Sequence, residues 1–152
     1  MTTNRRQSDS APFIRVVVAE DSQTVQELLV TILESDPGIR VVGRARTGVE
    51  AVELTERLAP DLVTMDIHMP VMDGVEATKE IMVRAPTPIV IVASSASSSD
   101  VGRSFHAMRA GALTMIPKPD NPEAPTFAQH RDRLVATVKA MAQVKVVRRW
   151  ST

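Results

Sequence analysis

The chain has no cysteine in its 152 residues. That removes disulfides, thiolate nucleophiles and zinc–thiolate sites together, and it fits a reducing compartment such as the cytoplasm. Neither charge is in excess, because eighteen acidic and eighteen basic side chains cancel. No overall field therefore steers the molecule toward nucleic acid or an anionic membrane, and neither is expected as a partner. No run approaches the roughly 18 apolar residues of a spanning helix. The polar segment 1–12 carries Arg5-Arg6 without the apolar stretch of a signal peptide and is expected to be disordered. There is no internal repeat, and no G-x-S-x-G elbow, so the chain is not itself a hydrolase of the serine type.

What remains is a chain of one domain's size, long enough to bury roughly 70% of its unfolded surface without covalent staples. Short continuous apolar runs alternate with segments of helical period, the pattern of parallel strands buried on both faces and joined by crossover helices. Ile14 to Ala19 opens the series. Val25, Leu28, Leu29, Ile32 and Leu33 follow at helical spacing, and Ser35-Asp36-Pro37-Gly38 stops that helix. Ile39 to Val42, Leu62 to Met65, Ile89 to Val92 and Leu113 to Ile116 read as the other four strands. Thr47-x-x-Glu50 and Asp73-x-x-Glu76 read as capping boxes. Val101, Phe105 and Met108 share one face of the fourth helix, Gly111 is its left-handed stop, and Leu134, Val135, Val138, Met141 and Ala142 line the fifth. Five alternating units give an α/β fold, a doubly wound five-stranded parallel sheet in three αβα layers, with strands one and three adjacent at the switch point.

That topology places chemistry at one edge. Glu20-Asp21 follow the first strand, Asp66 follows the third and Lys118 the fifth, so three carboxylates and an ammonium converge at the carboxyl ends of the strands, where open α/β sheets bind ligands. Magnesium, or manganese in its place, wants oxygen ligands at about 2.0–2.1 Å. Asp21 and Asp66, with Glu20 and the His68 backbone carbonyl, form a partial shell for it. Taken alone, Glu20-Asp21 reads most simply as a helix N-terminal charge pair; Asp66 and Lys118 in register make the metal site the favoured reading. A carboxylate left open beside the metal can attack phosphorus and become an aspartyl phosphate, its charge neutralised by Lys118. A hydroxyl from the Ser94-Ser95 region can then bond the phosphoryl group. His106 and His130 read as surface residues without a role.

Glu20-Asp21, Asp66-x-x-Met69-Pro70-x-x-Asp73-Gly74, Gly111-Ala112 and Lys118-Pro119, in this order, resemble the receiver domains of two-component response regulators, a flavodoxin-like fold. The resemblance covers residues 13–144, and within the family it is most similar to the N-terminal regulatory domain of the chemotaxis protein-glutamate methylesterase, CheB. It implies a phosphorylated switch rather than an enzyme, taking phosphate from a histidine kinase, here a chemotaxis kinase. It assigns Asp66 as phosphoacceptor, Glu20, Asp21, Asp66 and the His68 carbonyl to the metal, and Lys118 to the phosphate, with a Lys118–Pro119 bond that is often cis in the family.

Two positions depart from the pattern. Counting forward from Asp66 puts Ala93 at the switch hydroxyl, whereas counting back from Lys118 puts Ser94 there; Ser94 is the preferred assignment. Met115 replaces the usual aromatic of strand five, so output is expected through Phe105, His106, Met108 and Arg109 on the fourth helix. The basic ending, 145–152, is expected to be a linker that does not fold back, or the start of a C-terminal effector domain absent from this chain. Two other functions remain open: a fragment of a methylesterase lacking its catalytic domain, and a magnesium-dependent aspartyl-phosphate phosphohydrolase.

Overall fold

A computed structural model describes residues 13–94, 98–119 and 121–149. The expected alternation is present as β1 (Ile14–Ala19), α1 (Gln23–Glu34), β2 (Ile39–Ala45), α2 (Gly48–Leu58), β3 (Leu62–Met65), α3 (Gly74–Arg84), β4 (Ile89–Ala93), α4 (Ser98–Ala110), β5 (Thr114–Pro117) and α5 (Phe127–Met141). All neighbouring strands are parallel, in the order β2-β1-β3-β4-β5. β1 and β3 are therefore side by side, with Ala19 opposite Met65. The segment 1–12 lies outside the described residues.

Alternation along the strands explains why their sequences read as unbroken apolar runs. Val17, Ala19, Val63, Met65, Ile89 and Ile91 belong to one buried layer, packed with α2 and α3 residues such as Val52, Ile81 and Met82. Val16, Val18, Leu62, Val90, Val92 and Ile116 belong to the other, packed with Leu29 and Leu33 of α1 and Leu134 and Val138 of α5. A strand clad on both faces has no polar side to show.

Local signals set the helix starts. Ser22 accepts from the Val25 amide, Thr47 from Glu50 and Asp73 from Glu76, each relieving one orphan amide of a first turn. The return bond of the Thr47 box goes from the Arg46 amide to Glu50, at 2.8 Å, rather than from Thr47. Gly111 has φ +129°, as a left-handed stop requires.

The structure corrects several expectations. β2 runs on to Ala45 because a register shift between Val16 and Val17 lets Gly43 and Arg44 pair with β1 past Val42. Among the described side chains of α4, Ser104, Ala107 and Ala110 are buried, Phe105 is 63% exposed and Met108 packs partly against the core. The Lys118–Pro119 peptide is trans, since the described residues contain no cis bond. The tail after α5 does fold back, its Arg149 amide donating to the Met82 carbonyl at 2.7 Å. Among the described residues no helix is long and apolar enough to cross a membrane.

Candidate functional site

The site is built on the carboxyl edge of the sheet. At the end of β1 the Glu20 amide donates to the Ala45 carbonyl (2.9 Å), and at the end of β3 the Asp66 amide donates to Ala19 (2.9 Å). Both carboxylates therefore leave a fixed main chain. Gln26, buried in α1, adds a pin that sequence reasoning missed: its Nε2 donates to the Glu20 and Ala45 carbonyls, 3.1 Å each, joining the ends of β1 and β2. A polar residue inside an apolar helical stripe was the available signal.

Gly74, in the sequence only the last letter of the Asp66-x-x-Met69-Pro70-x-x-Asp73-Gly74 motif, is a second element whose role was missed. Its amide donates to the Ile67 carbonyl (2.8 Å), and a Cβ built on it would lie 2.0 Å from the Asp66 carbonyl oxygen. The first residue of α3 is thus pressed directly against the backbone of Asp66, at a distance only glycine permits. The loop between them contains Val71 at φ 71°, with the Met72 amide donating to the Pro70 carbonyl at 2.7 Å. That is a strained γ-turn centred on a β-branched residue. Val71 is 85% exposed and has little packing to lose. Val71→Gly is accordingly expected to raise stability by about 1 kcal/mol, the strain removed exceeding the added chain entropy; thermal melts of the two proteins check this.

Side chains of Glu20, Asp21 and Asp66 bring one oxygen each within 4.8 Å of one another. Glu20 and Asp66 are buried, while Asp21 stands at the more open side. Lys118 Nζ reaches between the two buried groups, 3.1 Å from Glu20 Oε1 and 3.4 Å from Asp66 Oδ2. The other oxygens accept main-chain amides, Glu20 Oε2 from Ser22 and Asp66 Oδ1 from Ile67. Burial, reinforced by the neighbouring Asp66 charge, pushes the Glu20 carboxyl up to about 7. Burial also raises Asp66, against the pull of Lys118. For Lys118 burial opposes the charge, but the two carboxylates outweigh it and hold the ammonium above the ordinary lysine value.

This arrangement has the chemistry of a cation site. Glu20 Oε1 is buried and accepts no aligned hydrogen bond, its contact with Lys118 being an ion pair only. A buried carboxylate oxygen met only by an ammonium, beside two further carboxylates, at least one of them open to solvent, fits a hard divalent ion that keeps part of its water shell. Glu20, Asp21 and Asp66 would hold it.

The remaining predicted groups are less tightly placed. Ala93 ends β4 and is buried, with its carbonyl accepting the Lys118 amide at 3.0 Å; Ser94 follows and is exposed. The side chain of His68 is exposed. Met115 is 40% exposed on β5, so the position of the expected aromatic faces outward. Ser95 lies outside the described residues.

A model of the response regulator receiver domain matches residues 16–126. The chain belongs to that family. This receiver is 57% identical over 137 residues to the protein-glutamate methylesterase/protein-glutamine glutaminase 4 of Myxococcus xanthus, across 90% of the chain and 38% of that protein. It spans about two-fifths of the length of the curated relatives it matches. The crystal structure of the response regulator domain of Thermotoga maritima CheB superposes with a TM-score of 0.77 at 38% identity, covering 88% of this receiver and 98% of that domain. The receiver domain of the sensor histidine kinase PA1611 from Pseudomonas aeruginosa, solved with magnesium coordinated in its active-site cleft, has a TM-score of 0.70 at 25% identity, covering 87% and 99% of the two chains.

Proposed function

We propose that this receiver is a phosphorylation switch of a chemotaxis pathway, accepting a phosphoryl group on Asp66 from a histidine kinase in a magnesium-dependent reaction. One observation carries the proposal: a buried aspartate at the end of β3, with Lys118 Nζ 3.4 Å away and two further carboxylate side chains within 4.8 Å. Magnesium in the site would supply charge to offset the incoming phosphoryl oxygens. Asp21, Glu20, Asp66 and the His68 carbonyl are its proposed ligands.

In the transfer step an Asp66 oxygen attacks phosphorus, an O–P bond forms, and the P–N bond to the kinase imidazole breaks with its electron pair returning to nitrogen. Before transfer the main chain of Asp66 is set by its bond to Ala19 and by the close approach of Gly74, so the nucleophile is positioned rather than searching. Lys118 neutralises one phosphoryl oxygen and holds its own proton tightly, because its carboxylate neighbours raise it above the ordinary lysine value. Ser94, the first residue past β4, is the proposed hydroxyl that bonds the new phosphoryl group.

The likeness to methylesterases over about two-fifths of their length supports a wider assignment, in which this receiver is the cytoplasmic regulatory piece of a longer protein-glutamate methylesterase with a C-terminal catalytic domain. Incubation with magnesium and a small phosphodonor tests the core of the proposal. Intact mass is expected to rise by one phosphoryl group in the wild type, and not in Asp66→Asn or when a chelator replaces magnesium. A wild-type mass that stays unchanged would refute it.

A further inference from the structure

The segment after α5 is docked at the edge of the sheet opposite the acidic site. The Arg149 amide donates to the Met82 carbonyl at 2.7 Å, and Arg149 Nη1 donates to the Arg109 carbonyl at 3.2 Å. Arg148 Nη1 donates to the Val83 carbonyl. Met82 and Val83 lie in the last turn of α3 and Arg109 in the last turn of α4, so two cations cap two helix C-termini whose carbonyls are otherwise orphaned. Arg149 bridges the two helices. The fit is close there, for a Cβ on Gly111 would come within 2.7 Å of Met82 Cγ and 3.7 Å of Arg149 Nη2.

The same pair of helices is joined once more near the acidic edge. Arg103 of α4 pairs with Asp73, the N-cap of α3, at 3.0 Å. Between the two ties runs an open groove of about 440 Å³, lined by Val75, Lys79, His106 and Arg109 among others. α3 itself is a straight link of 11 residues, roughly 16 Å long. One end presses on the Asp66 backbone through Gly74, and the other carries the carbonyls that hold Arg148 and Arg149.

We infer that residues 142–149 form a strap, tied across the C-terminal ends of α3 and α4, whose hold is coupled through α3 and the Arg103–Asp73 tie to the occupancy of the acidic site. Gly74 is in contact with the Asp66 backbone and its amide is tied to the Ile67 carbonyl, so a shift of the Asp66 main chain toward α3 pushes the helix and moves the far carbonyls against the strap. By thermodynamic reciprocity the strap biases the site equally. The part of this inference that concerns occupancy rests on the reading of Asp66 as phosphoacceptor; the tie itself does not.

Residue-resolved amide hydrogen exchange on the whole chain tests both parts. In the wild type the Arg149 amide is expected to exchange at least tenfold more slowly than an unstructured amide, and Arg149→Ala with Arg148→Ala is expected to abolish that protection. Arg103→Ala, which cuts only the tie near the site, is expected to speed exchange at Arg149 severalfold. Magnesium with beryllofluoride, a phosphoryl mimic whose binding is read by fluorine NMR, is expected to change Arg149 protection severalfold. An unprotected Arg149 in the wild type overturns the strap. A bound mimic, or Arg103→Ala, that leaves Arg149 unchanged overturns the coupling. Absence of any bound mimic while Arg103→Ala still loosens Arg149 counts for the tie and against the phosphoacceptor reading.

Discussion

Gly74→Ala is expected to lower stability by about 3 kcal/mol, with a fall in Tm of roughly 6–12 °C. The added methyl would sit 2.0 Å from the Asp66 carbonyl oxygen and 3.0 Å from the Asp66 carbonyl carbon and Ile67 Cα. All three are backbone atoms at the end of a buried strand, so no side chain can turn aside to make room. Either α3 withdraws from β3 or Asp66 is displaced, and each disturbs the site as well as the core. Magnesium affinity is therefore expected to fall together with stability. Gly102→Ala provides the contrast: that Cβ would meet nothing within 4 Å in the exposed middle of α4. There the usual advantage of alanine in a helix applies, about 1 kcal/mol of added stability. Equal behaviour of the two variants in thermal melts would show that the close approach at Asp66 is not real.

The second large effect is on pH dependence. Glu20 moves from 4.5 to about 7 on folding, because burial and then the Asp66 charge disfavour its ionised form. The folded chain thus binds this proton more tightly than the unfolded chain does. The corresponding stability is fully present below pH 4.5 and is lost as pH rises through about 7, an effect of about 3 kcal/mol in the metal-free protein. Asp66, raised by burial, acts in the same direction. Magnesium reverses the preference, since a ligand carboxylate must give up its proton. Magnesium affinity is expected to be about tenfold weaker at pH 6 than at pH 8, with a proton released on binding near neutrality. Calorimetric titrations in two buffers of different ionisation enthalpy measure both quantities. Equal affinity at the two pH values, with no proton released, would place Glu20 outside the cation site.

Much of this molecule is legible in its sequence, for identifiable reasons. A parallel strand buried on both faces is apolar over its buried length, so Val16-Val17-Val18 and Ile89 to Val92 announce themselves, and the charged residues just past β1, β3 and β5 mark the sheet edge. With β1 and β3 adjacent, that placement brings Glu20, Asp21, Asp66 and Lys118 together. Periodicity misleads on α4, where the buried positions among the described side chains are Ser104, Ala107 and Ala110 and the large Phe105 points out; a search weighted by apolar size finds the wrong face. Gly74 escapes because its importance is a distance to main-chain atoms, which no spacing pattern encodes, and Gln26 shows in the sequence only as a polar residue in an apolar stripe, without its partners. The strap escapes for a related reason. Arg148 and Arg149 look like the start of a solvated basic linker until the carbonyls of Met82, Val83 and Arg109 arrive beside them from remote parts of the chain. The trans Lys118–Pro119 bond shows that the ammonium reaches Glu20 and Asp66 without the isomer expected from the family.

Reductive trapping tests the central claim most directly. Borohydride converts an aspartyl phosphate to the corresponding alcohol and leaves free carboxylates untouched, so peptide mapping after exposure to magnesium and a phosphodonor reports which side chain carried phosphorus. The arrangement of Asp66, Lys118 and the buried Glu20 oxygen predicts homoserine at position 66 and at no other acidic position. Reduction at Glu20 or Asp21, or none under conditions in which the donor is consumed, would contradict it.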